Sequence, residues 1–224
     1  MLALLQFADG LFPAGNFAHS YGLETYVQQE RIRDAVGLEQ FIRVFLQDAA
    51  GSADAVAVTN ALRAAVAGDL ELCLKLDADL EAMKTAAESR EASRQLGRQT
   101  LRVLSAVTDH PFVGQYARQA DANLTPCHHA VIFGIAGGAL GWEPRPAALA
   151  YLYAACSGLV GAALRLLPIG QLRGQKIIRK LTPLIASQAA AAACRSSEEM
   201  TSFAPGVEIA AMCHARLEAR LFRS

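Results

Sequence analysis

The chain has 224 residues, of which 53% are hydrophobic, 19% charged and 7% aromatic, a balance that excludes extended disorder and suits one well-cored domain. Lys+Arg and Asp+Glu both number 21, so the formal charge is zero and the broad basic surface of a general nucleic-acid or anionic-membrane binder is excluded. Five scattered cysteines (Cys73, Cys127, Cys156, Cys194, Cys213) form no Cys-x-x-Cys pair, which predicts small core thiols in a reducing compartment. Met1–Leu5 lacks the basic n-region of a secretory leader and Asp9 soon follows, so a cytoplasmic protein is expected.

In chain order, Asp9–Glu24 comes first. Its Gly, Pro, Phe and Tyr content predicts a fixed turn packed on the core, with His19, Ser20 and Glu24 supplying polar contacts. From Leu38 the apolar residues Leu38, Phe41, Ile42, Phe45, Leu46 and Ala49 follow helical spacing, with Gly51 placed for a C-cap. Asp54–Ala67 reads as a second helix stopped by Gly68, and Asp69 as the cap of a third carrying Leu72, Cys73, Leu76, Leu80 and Met83. Thr85-Ala86-Ala87-Glu88 has capping-box spacing and opens a long polar helix that Asp109-His110-Pro111 breaks. Its charges, such as Glu91 with Arg94, read as a solvated face.

Further helices are expected at about Phe112–Ala120, Pro126–Leu140, Pro146–Leu167 and Gln171–Leu181, with Pro183 interrupting or restarting the pattern. Ala147–Leu164 has no formal charge, but its Ala, Gly, Ser and Tyr content fits a helix buried in a protein interface better than a membrane span, with Gly158 and Gly161 admitting a neighbouring backbone. No alternating strand pattern and no fixed repeat occurs. The class is therefore all-α, a single-domain bundle of roughly eight to ten short to medium helices. Residues 1–200 form its body, and 201–224 a tail after the linker Thr201–Gly206. Ile209, Met212, Cys213 and Leu217 would share one face of a tail helix too small to fold alone, which must dock on the body or on a partner.

Signatures of catalysis are missing: no Gly-x-Ser-x-Gly, His-Glu-x-x-His, Gly-x-Gly-x-x-Gly or Glu-x-x-His occurs. Gly170–Lys176 lacks the spacing and the Lys-Ser/Thr ending of a phosphate loop. Cys127-His128-His129 is the best metal-like cluster, with Cys127 and His128 the candidate ligands of a direct nickel-binding alternative. Three consecutive helical residues fan around the axis, however, which favours a helix-start or core role. His19 and Ser20 are adjacent, which does not suit a nucleophile and its base.

Three motifs, in order, resemble the signatures of the UreF family of urease accessory proteins. The first is Leu4-Leu5-Gln6 with Asp9–Glu24, including Pro13, Gly15, Phe17, His19, Ser20, Tyr21 and Gly22. The second is Ala163–Gln171 followed by Gly174-Gln175, with a basic residue before Pro168 and Gly170. The third is Pro205–Ser224. The resemblance implies an all-α, non-enzymatic scaffold with no tightly bound cofactor, which dimerises, binds UreH (UreD in many bacteria) and recruits the GTPase UreG. The assembly hands nickel to apo-urease, and nickel is its cargo. Neither nucleic acid nor membrane is an expected partner. By the same resemblance Glu24, Arg165, Gln171 and Gln175 are expected to face UreG. Glu208, Met212, His214, Arg216, Leu217, Arg220 and Phe222 are expected to face UreH. Pro168, Gly170 and Gly174 read independently as turn geometry between two helices, and Arg165 as a charge suited to a helix C-terminus.

Overall fold

The computed structural model describes residues 1–15 and 18–223. Its helices are α1 (Leu2–Ala8), α2 (Leu23–Gln28), α3 (Ala35–Phe45), α4 (Ala55–Ala67), α5 (Leu70–Met83), α6 (Ala87–Val107), α7 (Pro111–Asp121), α8 (His129–Ala139), α9 (Pro144–Leu166), α10 (Gln171–Cys194) and α11 (Pro205–His214). A π-helical segment, Leu46–Asp54, joins α3 to α4, and a 3-10 turn, Ser197–Glu199, precedes α11. No strand occurs among the described residues, and the fold is an all-α single domain.

Asp34, which the sequence reading does not single out, caps α3 by accepting from the Val36 and Gly37 amides at 3.0 and 2.9 Å. Two expected signals act as read. Asp69 caps α5 through the Leu72 amide at 2.9 Å, and Gly68 ends α4 at φ +73°, a conformation that costs glycine little. The core is built on α4, α8, α9 and α10. Every residue from Ala55 to Leu62 is buried, as is every residue from Ala130 to Gly137. Small residues bring these helices close: a Cβ on Gly134 would strike the Val58 carbonyl and Ala61 of α4, and one on Gly138 would come within 2.6 Å of Ala65. Side chains there would force the helices apart.

Three expectations need correcting. Gly51 is not a C-cap: it lies inside the π segment, where a Cβ would strike the Leu46 carbonyl and the Gln188 side chain of α10, so it serves close packing. Thr85 and Glu88 form no capping box, since Ala86 is the N-cap of α6 and makes no side-chain cap bond. Both side chains instead reach the C-terminal segment. Pro183 does not break its helix, and α10 runs on to Cys194. Pro183 is exposed, so the carbonyl it leaves without a donor is near solvent. The following Ala-rich turns are good helix formers held on α4, where Thr59 Oγ1 donates to Ala192 O at 2.9 Å. The buried face of α11 is Val207, Ala210, Ala211 and His214, whereas Ile209 and Met212 are 59% and 46% exposed. Of the face expected to dock on the body or on a partner, Ile209 and Met212 therefore point away from the body, whose polar neighbouring surface takes His214 instead.

By length and composition α9 is the one described helix able to cross a membrane, and half of its most apolar stretch is buried within the fold. It packs against α1, α4, α8 and α10. At its α10 contact, Gly174 stands where a Cβ would lie 2.9 Å from Val160 Cγ1, so this glycine serves helix packing within α10 and not the preceding turn. Gly161 is different: a Cβ there would meet nothing within 4 Å. With Ser157 and Gly158 it walls a cavity of about 270 Å3 whose opposite side is Phe7 and Phe12, so within the chain this face is open.

Candidate functional site

The residues singled out in the sequence meet where the C-terminal segment returns to the start of the chain. The turn before α2 is forced by Tyr21 at φ +51° and Gly22 at φ +86°. A Cβ on Gly22 would lie 2.9 Å from both Ala211 N and Val207 O, so only glycine lets α11 lie this close. Thr25 Oγ1 then donates to Ala210 O at 2.9 Å. Gln28 Nε2 donates to Ala219 O at 2.8 Å.

Glu24 is the centre of this junction. It is 1% exposed, which corrects its expected place on a partner-facing surface. Its Oε1 accepts from the Leu221 amide at 2.7 Å, and its Oε2 from the Phe222 amide at 3.1 Å and from His214 Nε2 at 2.9 Å. On the other side of the ring, His214 Nδ1 faces Glu88 Oε2 at 2.7 Å, and Arg220 donates to Glu88 Oε1 at 3.0 Å. The ring thus bridges two carboxylates, one at each nitrogen. Burial pushes the Glu24 carboxyl up, but the Leu221 amide, His214 and the Phe222 amide outweigh it and hold the group below its usual range. Nearby, Thr85 donates to Glu208, and the Arg165 guanidinium lies 4.5 Å from the centre of the Phe222 ring.

All three signatures therefore contribute to one junction: Gly22 and Glu24 from the first, Arg165 from the second, His214, Arg220 and Phe222 from the third. The remaining residues are distributed as follows. Gln171 and Gln175 are exposed on α10, as are Arg216 and Arg220 on the tail; Leu217 and Glu208 are half-buried, while His214 and Phe222 are buried. Pro13 and Gly15 belong to the turn before the junction, Gly15 at φ +91°. His19 and Ser20 are buried, Ser20 Oγ accepting from the Glu24 amide at 3.4 Å. Phe17 lies outside the described residues. Pro168 is exposed, and Gly170 is the N-cap of α10.

Removal of the Glu24 carboxylate leaves the buried Phe222 amide, the partly buried Leu221 amide and an imidazole without their acceptor, at about 1–3 kcal/mol for a buried orphaned donor. Because the tail keeps its other contacts, Glu24→Ala is expected to ease local opening of 205–223 by about 2–3 kcal/mol, read as faster amide exchange there and little change in α4 and α8. Unchanged exchange in the tail would refute the role given to Glu24.

The Cys127-His128-His129 cluster is a separate structure organised by Asp77, which sequence reading missed. Asp77 is fully buried and accepts from Tyr116 OH (2.9 Å), Thr125 OH, Cys127 N (2.5 Å) and His128 N (2.7 Å). Only its spacing with Cys73, Leu76 and Leu80 on the buried stripe could have flagged it. Cys127 sits at φ +70°, so α8 starts at His129 and not near Pro126. The Cys127 carbonyl also occupies the space a Cβ on Gly97 would take. The three side chains diverge: His128 Nε2 meets Glu81 at 3.0 Å, His129 packs on Phe133 and Tyr151, and burial pushes the Cys127 thiol up to about 12. No group of three or more His, Cys, Asp and Glu side chains able to hold a metal ion occurs among the described residues.

Between the two structures run small cavities. One of about 40 Å3 is lined by Tyr21, Asp54, Lys84, His129 and Tyr151; it shares His129 and Tyr151 with the cavity beside Gly161. It shares Tyr21, Asp54 and Lys84 with another of about 70 Å3 under Val207 and Ala211 of α11. Lys84 Nζ pairs with Asp54 at 2.8 Å.

The UreF family model matches residues 32–182. The chain belongs to the UreF family. It is 34% identical over 221 residues to the urease accessory protein UreF of Trichodesmium erythraeum, covering 99% of this chain and 95% of that one. It is 32% identical to those of Bacillus sp. strain TB-90, over 100% of this chain and 99% of the relative, and of Geobacillus kaustophilus, over 100% and 98%. The matched segment of the family model, 32–182, lies between the first and third signatures. The full-length relatives extend the similarity over the junction of this UreF-family chain.

Proposed function

We propose that this UreF-family chain is a non-enzymatic cytoplasmic scaffold of urease maturation: it binds UreH (UreD), recruits the GTPase UreG, modulates its GTP hydrolysis, and so serves insertion of nickel into apo-urease. One observation carries the reading. The charged groups of the three signatures hold a short tail on the body, and the tail's outer face leaves Phe203, Ile209 and Met212 80%, 59% and 46% exposed. Apolar side chains presented to solvent by a fixed helix and by the segment just before it suit a docking partner, here UreH. The exposed Arg165, Gln171 and Gln175 around the α9–α10 corner form the surface assigned to UreG. The open face of α9 at Gly161 supports pairing of two copies. The row of cavities from α1 to α11 supports a passage for nickel as cargo, with no resident metal.

Light scattering on a sizing column tests this for the protein alone, with UreH, and with UreH plus UreG and a GTP analogue. Stepwise growth is expected, and it should be lost both on truncation after Thr201 and in the full-length double variant Ile209→Glu/Met212→Glu, whose sites are exposed and leave the core intact. A chain that ignores both partners would overturn the proposal.

A further inference from the structure

The first half of α10 carries Arg173, Lys176, Arg179 and Lys180 and no acidic residue, and all four are exposed. In a chain of zero net charge this is a local segregation. Two of the four lysines are here; the other two, Lys75 and Lys84, are in ion pairs with Asp79 and Asp54. On α10 only Lys180 has a carboxylate partner, Glu39 at 3.1 Å, and Glu39 also takes Arg43 at 3.4 Å. Asp34, the other acid beside the strip, is occupied in capping α3. Among the described residues Arg173, Lys176 and Arg179 make no ion pair.

The position of Arg173 also works against helix stability. It lies in the first turn of α10, at the positive end of the helix dipole, where an acidic side chain would be favoured. The helix dipole therefore does not account for Arg173. At helical spacing Leu172, Lys176, Arg179 and Pro183 fall on one line, with Arg173 and Lys180 beside it. All six are exposed, Leu172 at 71%. A groove of about 300 Å3 runs between this line and α3, with Arg173, Lys176 and Lys180 on one wall and Val36 on the other.

We infer that this face of α10 and its groove dock an acidic protein segment, in which carboxylates spaced over about two helical turns flank one apolar side chain. The inference rests on the scaffold reading above, since the segment belongs to a partner in that assembly. Charge complementarity selects the occupant. Arg and Lys over roughly 10 Å match acids at i, i+3, i+4 and i+7 of a facing helix, and Leu172, Val36 and the groove provide the apolar seat. A nucleic acid is disfavoured because the strip has no exposed aromatic residue for base stacking and is bordered by Asp34 and Glu39. A membrane surface is disfavoured because the apolar face of α10 is buried in the core.

The test compares the wild-type chain, the double variant Lys176→Glu/Arg179→Glu, and the control Arg98→Glu/Arg102→Glu, which reverses two exposed cations of α6. Each is titrated with UreH, UreG and apo-urease at low and high salt, and with anionic vesicles and single-stranded DNA. The α10 variant should lose on the order of tenfold or more in affinity for one protein partner, and that wild-type affinity should fall with added salt. The control should bind as wild type. Melting of the α10 variant should match wild type, because both sites are exposed and lie beyond the first turn, where the dipole has little effect. Equal binding by the α10 variant, equal loss in the control, salt-independent binding, or preferential binding of vesicles or DNA would each overturn the inference. Wild-type chain that assembles with no partner defeats the scaffold reading instead, so the two failures are distinguishable.

Discussion

Asp77→Ala is expected to destabilise the fold by about 3–5 kcal/mol, the cost typical of removing one side of a buried charged network. Four donors converge on this carboxylate from α7, the loop before α8 and the start of α8. Alanine orphans all of them and leaves Cys127 in a left-handed conformation with nothing to hold it. Denaturant titration of the purified variant measures the loss. Asp77→Asn should recover only part of it, since an amide nitrogen cannot accept, so one edge of the site stays unpaired. A loss below 1 kcal/mol for the alanine variant would mean that the loop before α8 is held by other contacts.

Acid is expected to unfold the protein from an unusually high pH. Burial, aided by Arg223, lowers His19 to about 4, and burial with Lys84 lowers His129 to about 4 against the opposing charge of Asp54. A histidine held neutral in the folded state but protonated near pH 6.5 when unfolded gives the unfolded chain more bound protons between these values. Stability is therefore full above about pH 6.5 and falls as pH drops toward 4, by at most roughly 3 kcal/mol for each group. Glu24 acts lower on the scale: its depressed carboxyl retains its contribution above the usual carboxylate range and loses it only as pH falls through the lowered value. Unfolding free energies measured from pH 7.5 to 4 should slope downward from near 6.5, and His129→Phe should flatten part of that slope. A profile that is flat down to pH 5 would show that neither ring is held neutral.

Helix periodicity, Asp69 as a cap and Gly68 as a stop were legible because each is a local rule, satisfied by residues within a few positions of one another. The same rules misread Gly51, Pro183 and the Thr85/Glu88 pair, since tertiary partners override them. Gln188 packs where Gly51 lacks a side chain, α4 holds the turns beyond Pro183, and the C-terminal segment takes the hydrogen bonds a capping box would have made. The recognition of the UreF family needed only residue identities at three places.

The sequence alone thus determined the all-α class, most helix positions and the family, because propensity, periodicity and motif identity are carried by neighbours along the chain. The tertiary structure decided that Glu24 is the buried acceptor of the tail, that Asp77 anchors the start of α8, that His214 and not Met212 faces inward, and that α10 shows its cations to solvent. Each of these depends on which distant groups meet inside the fold, where an unpaired charge is too costly to leave and solvent cannot replace a missing partner. No spacing along the chain records that meeting.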